Sequence, residues 1–132
     1  IRKKKTFVIL SDGELDEGSN WESLLFSSHH KLNNLVIIID YNKLQSIDFV
    51  KNTLNLEPLK QKFQSFGCKV VSVDGHNFKQ LEKALTSTST KPLVIIANTI
   101  KGKGVSFMEN SVLWHYKSLN SEDYQKALRI IK

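Results

Sequence analysis

The chain has 132 residues, of which 40% are hydrophobic and 24% are charged, and this is typical of one globular domain. No uninterrupted apolar run is longer than 35–39, so the sequence predicts no membrane-spanning segment. The formal net charge is +6, but the lysines are scattered and do not alternate with stacking aromatic residues. We therefore expect solvated surface charge and no nucleic-acid partner.

Two features favour a cytoplasmic location. The basic cluster at 2–5 is followed by a short apolar run rather than by the long apolar stretch of a secretory signal. The single cysteine, Cys68, excludes an internal disulfide and fits a reducing compartment.

Short apolar runs rich in Val and Ile predict four strands buried on both faces, at 6–10, 35–39, 70–73 and 93–97. Helical spacing of apolar residues predicts helices between and after them, at 21–28, 56–66, 78–85 and 124–131. This alternation predicts an α/β fold, a doubly wound and mostly parallel sheet with helices on both faces. We expect one domain over 1–132 with a C-terminal helix at 117–132. Because the first strand looks central, we expect the domain to be partial and to be completed by strands outside this segment.

Oxygen-bearing side chains follow the first two predicted strands. The run 7–10 leads into Asp12, and the run 35–39 leads into Asn42. The carboxyl ends of parallel strands are where α/β proteins bind ligands, and hard oxygen donors there suit Mg²⁺ or Ca²⁺ held against a phosphate. A carboxylate beside an anionic ligand is repulsive unless a cation lies between them.

The segment between these two side chains predicts an anion site at the start of a helix. Gly13 is expected to let the backbone turn sharply and to let a ligand approach closely. Ser19 and Glu22 match the capping-box pattern, which predicts where the helix begins. Each feature also has a structural interpretation, since Asp-Gly is a common turn dipeptide and Asn42 could be an ordinary loop residue. The joint spacing of Asp12 and Asn42 around one helix favours the functional interpretation.

Five blocks of sequence extend this pattern: SDGELDEGSNWE, LVIIIDYNKLQS, VDGHN, IKGKGVSFMEN and WHY. With them, the stretch from Phe7 to about Tyr116 resembles the N-terminal thiamine diphosphate-binding domain of transketolases. The last blocks are most similar to the N-terminal subunit of transketolases encoded as two polypeptides. By this resemblance the chain has a partial thiamine diphosphate-binding fold that lacks its upstream part.

The resemblance implies thiamine diphosphate as the cofactor, with Mg²⁺ as its metal and Ca²⁺ as the alternative. It implies that the side chains of Asp12 and Asn42 and the backbone carbonyl of Leu44 ligate the metal. Gly13 would offer its N–H to the diphosphate. Ser11, a further cofactor-binding candidate, stands where the motif usually has its first glycine.

The resemblance also implies roles for residues outside these two motifs. Lys101 would lie near the cofactor phosphate and the substrate entrance, and His115 would contact the diphosphate and the reacting carbonyl region. Glu17 and Glu22 match acidic positions at the dimer interface, in a carboxylate network that links two active sites. A capping role for Glu22 stays open beside this one. His115, Glu17 and Glu22 are thus the catalytic candidates.

The function implied by the resemblance is that of one subunit of a transketolase-like transferase. Such an enzyme moves a two-carbon ketol unit from a ketose phosphate to an aldose phosphate, with the cofactor supplying the chemistry. In that family the glutamate that activates the aminopyrimidine comes from the following domain of a partner chain, and substrate-handling histidines lie upstream. We therefore expect a hetero-oligomer that contains a pyrimidine-binding-domain subunit, with a separate chain for the upstream segment, and no activity of this chain alone.

Two other functions stay open from the sequence. One is a related thiamine diphosphate enzyme of sugar biosynthesis, of the acyloin or deoxyxylulose-phosphate type. The glutamate pair and the WHY block favour transketolase over the deoxyxylulose-phosphate type. The other is a non-catalytic assembly subunit.

Overall fold

A computed structural model describes residues 4–131 of the chain. Its strands are β1 (Thr6–Ser11), β2 (Leu35–Tyr41), β3 (Lys69–Asp74) and β4 (Leu93–Asn98). Its helices are α1 (Gly18–His29), α2 (Val50–Thr53), α3 (Leu59–Ser65), α4 (Phe78–Thr86) and α5 (Ser121–Ile131), with short 3₁₀ turns at Gly13–Asp16 and Val112–His115. Residues 2 and 3 of the basic cluster lie outside the described residues.

The strands form one parallel sheet in the order β1-β2-β4-β3. Helices α1 and α3 pack on one face of it, and α4 packs on the other. The predicted doubly wound parallel α/β fold is confirmed. Long apolar runs identify β2 and β4 in the sequence because these central strands are buried from both sides, and Val94 and Ile95 are fully buried.

Two apolar clusters hold the layers together. On the first face, Leu24 of α1 and Phe63 of α3 pack over Ile37 and Ile39 of β2. Trp21 of α1 stacks on the Phe63 ring with 5.3 Å between ring centroids, so the aromatic pair joins the two helices. On the second face, a cluster lies between α4 and strands β2, β3 and β4. It consists of Val36, Val73, Ala84, Leu93, Ile95 and Ala97.

Strand β1 is not buried on both faces among the described residues, contrary to the expectation from its apolar run, and its central place in a larger sheet stays a prediction. It lies at an edge of the described sheet, and Phe7 and Ile9 are 52% and 70% exposed. Val8 and Leu10 point toward the α1 side, where they line an apolar cavity with Leu24. Side chains alternate along a strand, so Phe7 and Ile9 face the side of the sheet where α4 covers only β3 and β4.

The C-terminal helix begins later than the predicted range 117–132. Helix α5 starts at Ser121 because Asn120 caps it, with its side-chain Oδ1 accepting a hydrogen bond from the Asp123 N–H at 2.7 Å. Residue 132 lies outside the described residues. Within 4–131, the structure contains no helix that is long and apolar enough to cross a membrane.

A hydrogen-bonded pair joins the end of β2 to the start of α3. The buried Tyr41 hydroxyl donates to Glu57 Oε1 at 2.7 Å, and the Leu59 N–H donates to Glu57 Oε2 at 2.9 Å. The bonds from Leu59 and then from Tyr41 hold the pKa of Glu57 below its ordinary value. Burial, together with the carboxylate of Glu57, raises the pKa of Tyr41.

We expect Tyr41→Phe to lower the free energy of unfolding by about 1–2 kcal/mol at pH 7, because the mutation removes a hydrogen bond to a charged group. The stability that Glu57 contributes is present above its ordinary pKa and is lost as pH falls through the lower value of the folded state. The penalty of the mutation should therefore shrink in acid. Urea unfolding of both proteins at pH 7 and pH 3 measures it, with the exposed Tyr116→Phe as control. An equal penalty at both pH values would contradict a bond to the ionised carboxylate.

Candidate functional site

The candidate site lies where β1 and β2 end side by side. Ser11 pairs with Asp40 at the last register position, so Asp12 and Asn42 leave the sheet at its carboxyl edge. This is the edge at which parallel α/β sheets bind ligands.

Asp12 is a buried carboxylate, with 1% of the residue exposed. Its Oδ2 accepts a hydrogen bond from the Lys43 N–H at 2.7 Å. Burial raises the pKa of Asp12, the nearby Asp40 raises it further, and backbone N–H groups, that of Lys43 foremost, oppose the shift. The ionised carboxylate is therefore held at an energetic cost that a bound cation would offset.

The loop after β2 is fixed by its own backbone. Asn42 Oδ1 accepts a hydrogen bond from the Leu44 N–H at 2.9 Å, and Leu44 forms an isolated antiparallel bridge with Phe49. Lys43 adopts a left-handed conformation with φ of 65°, which turns the chain between these residues. Asn42 and the backbone of Leu44 thus lie on either side of Lys43, whose N–H donates to Asp12.

Ser11 and Glu14 form a capping box. The Ser11 N–H donates to Glu14 Oε2 at 2.7 Å, the Ser11 hydroxyl donates to the same oxygen at 3.0 Å, and the Glu14 N–H donates to Ser11 Oγ at 3.3 Å. The predicted capping box of Ser19 and Glu22 is wrong. Helix α1 begins at Gly18, so Ser19 lies inside the first turn and no side chain caps this end.

Gly13 is not required by the backbone conformation, contrary to the expectation of a sharp glycine turn. It begins the 3₁₀ turn Gly13–Asp16, and its φ is not positive. A Cβ placed there would meet Gln45 Cγ at 3.7 Å and Cδ at 3.9 Å, which are ordinary contacts. The glycine therefore does not relieve backbone strain, and a close ligand approach at this position stays a prediction.

One open cavity of about 500 Å³ contains most of the predicted site residues, and its lining includes Ser11, Asp12, Gly13, Glu17, Asn42, Leu44 and His115. His115 reaches it from the 3₁₀ turn Val112–His115, which Trp114 anchors by donating its Nε1–H to the Phe107 carbonyl at 3.1 Å. The turn Val112–His115, which lies far along the sequence from β1 and β2, is thereby brought to the ends of these strands.

Lys101 and Glu22 do not line this cavity. Lys101 lies in the loop after β4, where its carbonyl accepts a hydrogen bond from the Asn110 N–H at 3.0 Å. Glu22 is exposed on α1, and Glu17 is exposed at the residue before that helix. The roles of these three residues stay predictions, as do those of the residues that line the cavity.

Six residues that line this cavity were not among the predicted site residues: Glu14, Asp16, Gln45, Ser46, Ile47 and Thr53. Glu14 could have been found, because Ser11 and Glu14 show the same Ser-x-x-Glu spacing that was assigned to Ser19 and Glu22. No pattern distinguishes Gln45, whose position depends on how the loop after β2 folds over the turn after β1.

The donors suit a hard cation that also binds a ligand. Within 4–131, no three His, Cys, Asp or Glu side chains cluster as a metal site. A cation beside Asp12 would instead combine one carboxylate with amide and carbonyl oxygens, and a phosphate ligand would complete the shell, as is usual for Mg²⁺. The fold and the site together define a class, the parallel α/β domains with a cavity at the strand ends suited to a phosphate and a divalent cation.

Comparison with known families agrees with this class. The family described as transketolase, thiamine diphosphate binding domain, matches residues 1–131. The chain belongs to this family of transketolase thiamine diphosphate-binding domains.

Named relatives fall in the same family. The chain is 42% identical to a subunit of the apulose-4-phosphate transketolase of Actinobacillus succinogenes, over 98% of this chain and 48% of that one. It is 38% identical to 6-deoxy-6-sulfo-D-fructose transketolase subunit SqwG of a Clostridium species, over 92% of this chain and 46% of that one. The crystal structure of Campylobacter jejuni transketolase superposes with a TM-score of 0.89 at 34% identity, over 96% of this chain and 20% of that one. The chain thus spans about half the length of these subunit relatives.

Proposed function

We propose that this chain holds the diphosphate and the metal of thiamine diphosphate in a transketolase-type transferase assembled with further polypeptide. The observation that carries the proposal is the buried Asp12 carboxylate, which lines one cavity with Asn42 and Gly13. Family membership supports the cofactor, and the donor set supports the metal.

The residues present fit this group. The Asp12 and Asn42 side chains and the Leu44 carbonyl would bind Mg²⁺, with Ca²⁺ as the alternative, and the cation would relieve the cost of the buried charge. Gly13 would offer its N–H to the diphosphate, and the capping box of Ser11 and Glu14 would hold that turn in place.

Once bound, thiamine diphosphate supplies the chemistry that breaks and forms a carbon–carbon bond beside a carbonyl. The protein's contribution is to bind and orient. His115 on the cavity wall can exchange a hydrogen bond or a proton with the diphosphate or a substrate oxygen. Lys101 would attract the substrate phosphate from outside the cavity. Glu17 and Glu22, both exposed on this chain, would contribute at an interface with another copy.

The reaction we propose is transfer of a two-carbon ketol unit from a ketose phosphate to an aldose phosphate. One relative is named for apulose 4-phosphate and another for 6-deoxy-6-sulfo-D-fructose. Both names denote sugars with an anionic substituent, which supports an anionic sugar as the substrate here. Sugar phosphates as substrates also support a cytoplasmic enzyme.

The proposed assembly is a hetero-oligomer. The relatives are named subunits, and this chain spans about half of their length. A pyrimidine-binding-domain subunit would complete the site around the reactive end of the cofactor.

Calorimetric titration of thiamine diphosphate tests the proposal, on this chain alone and on its complexes with candidate pyrimidine-binding-domain subunits. We expect binding with MgCl₂ present and its loss with EDTA. Thiamine without its diphosphate is the control and should bind far more weakly, because the proposed contacts are to the diphosphate. Absence of binding in every combination would overturn the cofactor assignment.

A further inference from the structure

Gln45 is a buried polar residue in the loop after β2, and only 8% of it is exposed. Its position is fixed by the backbone, because its N–H donates to the Asp48 carbonyl at 2.9 Å and its neighbour Leu44 pairs with Phe49. These backbone contacts hold Gln45 at the wall of the cavity that it lines.

The amide nitrogen of this side chain has no hydrogen-bond partner. Gln45 Nε2 is buried and unpaired among the described residues, a state shared there only by Ser87 Oγ in the connector after α4. Leaving a buried donor unpaired costs about 1–3 kcal/mol, so such a group in a ligand cavity points to a partner that the ligand supplies.

The surroundings indicate what that partner is. The Gln45 side chain lies against Gly13, since a Cβ at Gly13 would meet its Cγ and Cδ at 3.7 and 3.9 Å. Both residues line the cavity that also contains Asp12. An amide NH₂ group donates hydrogen bonds and cannot ligate a cation, so the partner it lacks is an acceptor such as a phosphate oxygen.

We propose that Gln45 Nε2 donates a hydrogen bond to a diphosphate oxygen of the bound cofactor, beside the oxygen that the Gly13 N–H binds. The proposal rests on the proposed function and adds a binding residue to it. A neutral donor suits this position because the cavity already carries the carboxylates of Asp12, Glu14, Asp16 and Glu17. An amide donor can bind a phosphate oxygen without the strong ionic attraction that a lysine would have to those carboxylates.

The first test compares Gln45→Met with the wild-type chain. Met fills a similar volume without a donor, so we expect the affinity for thiamine diphosphate with MgCl₂ to fall about tenfold, as for loss of one hydrogen bond to a charged group. Without ligand, the melting temperature should rise by about 3 °C or more because the unpaired amide is gone. Gln64→Met, on the exposed face of α3, is the matched control and should change neither quantity.

The second test keeps the side-chain shape. Gln45→Glu replaces the donor with a carboxylate and should weaken binding more than Gln45→Met does, because the new charge repels the diphosphate. In ¹⁵N-labelled chain, the side-chain amide resonance that Gln45→Met removes should shift on adding magnesium pyrophosphate. It should not shift on adding thiamine alone.

The outcomes separate the two proposals. The role of Gln45 alone would be overturned if the wild-type chain binds the cofactor and Gln45→Met binds it equally well. It would also be overturned if the Gln45 resonance shifts with thiamine but not with pyrophosphate. Wild-type protein that binds neither probe, by itself or with a pyrimidine-binding-domain partner, would overturn the proposed function and this inference with it.

Discussion

Replacing Asp12 by Asn is expected to weaken metal-dependent binding of thiamine diphosphate by about a hundredfold or more, since loss of even an outer-shell partner costs a metal site about 10–100-fold. Asn keeps an oxygen that can accept the Lys43 N–H bond, so the loop after β2 should stay in place. Ala would instead leave that donor unpaired and would confound binding with stability.

The stability of the same variant should move in the opposite direction. Because burial raises the pKa of Asp12, the folded state binds its proton more tightly than the unfolded state does. The contribution of Asp12 to stability therefore falls as pH rises through these values, and at pH 7 the full cost of its charge is present. Without ligand at pH 7, Asp12→Asn should melt at the wild-type temperature or above it.

Calorimetric titration with MgCl₂ and thermal unfolding without ligand measure the two effects. Asp16→Asn is the matched control, since it removes the same charge from an exposed position in the same cavity. Its effect on affinity should be about twofold, because solvent and salt screen an exposed charge. Equal losses in both variants would mean that overall cavity charge matters rather than coordination. Unchanged affinity in Asp12→Asn would remove Asp12 from the metal site.

The fold could be predicted where burial leaves a mark on the sequence. The runs 35–39 and 93–97 are uninterrupted because β2 and β4 are covered on both faces. The run 7–10 shows the same pattern, yet β1 is exposed, since burial depends on what lies beside a strand and not on the strand itself. An apolar run predicts a strand but does not give its place in the sheet.

The site residues could be predicted only where a polar side chain directly follows the end of a strand. Asp12 and Asn42 fall at the carboxyl edge because parallel strands bring their ends together. The pairs Ser11–Glu14 and Ser19–Glu22 have identical spacing, so the sequence does not show which pair forms the capping box. The structure does, because β1 ends at Ser11 and α1 begins before Ser19. Gln45 carried no signal, since its unpaired amide exists only after two loops pack together.

Gly13→Ala is expected to reduce the affinity for thiamine diphosphate about tenfold or more without harming the fold. The new methyl group meets Gln45 at ordinary contact distances, and the backbone at Gly13 needs no positive φ. Replacing Gly by Ala at a compatible position stabilises a protein by about 0.4–1 kcal/mol through the unfolded state. A phosphate oxygen that approaches the Gly13 N–H closely would also meet the new methyl group, so we expect this approach to be weakened.

Gly18→Ala separates these two effects. Gly18 begins α1, and nothing lies within 4 Å of a Cβ placed there, so the stability gain should appear with unchanged affinity. Wild-type affinity in Gly13→Ala would show that the diphosphate does not approach this backbone, and a lowered melting temperature would show that the turn needs glycine after all. Changes at Asp12, Gly13 and Gln45 should each preserve or raise stability while weakening binding. That opposition is expected of residues retained for a ligand, since residues retained for the fold lose stability when they are changed.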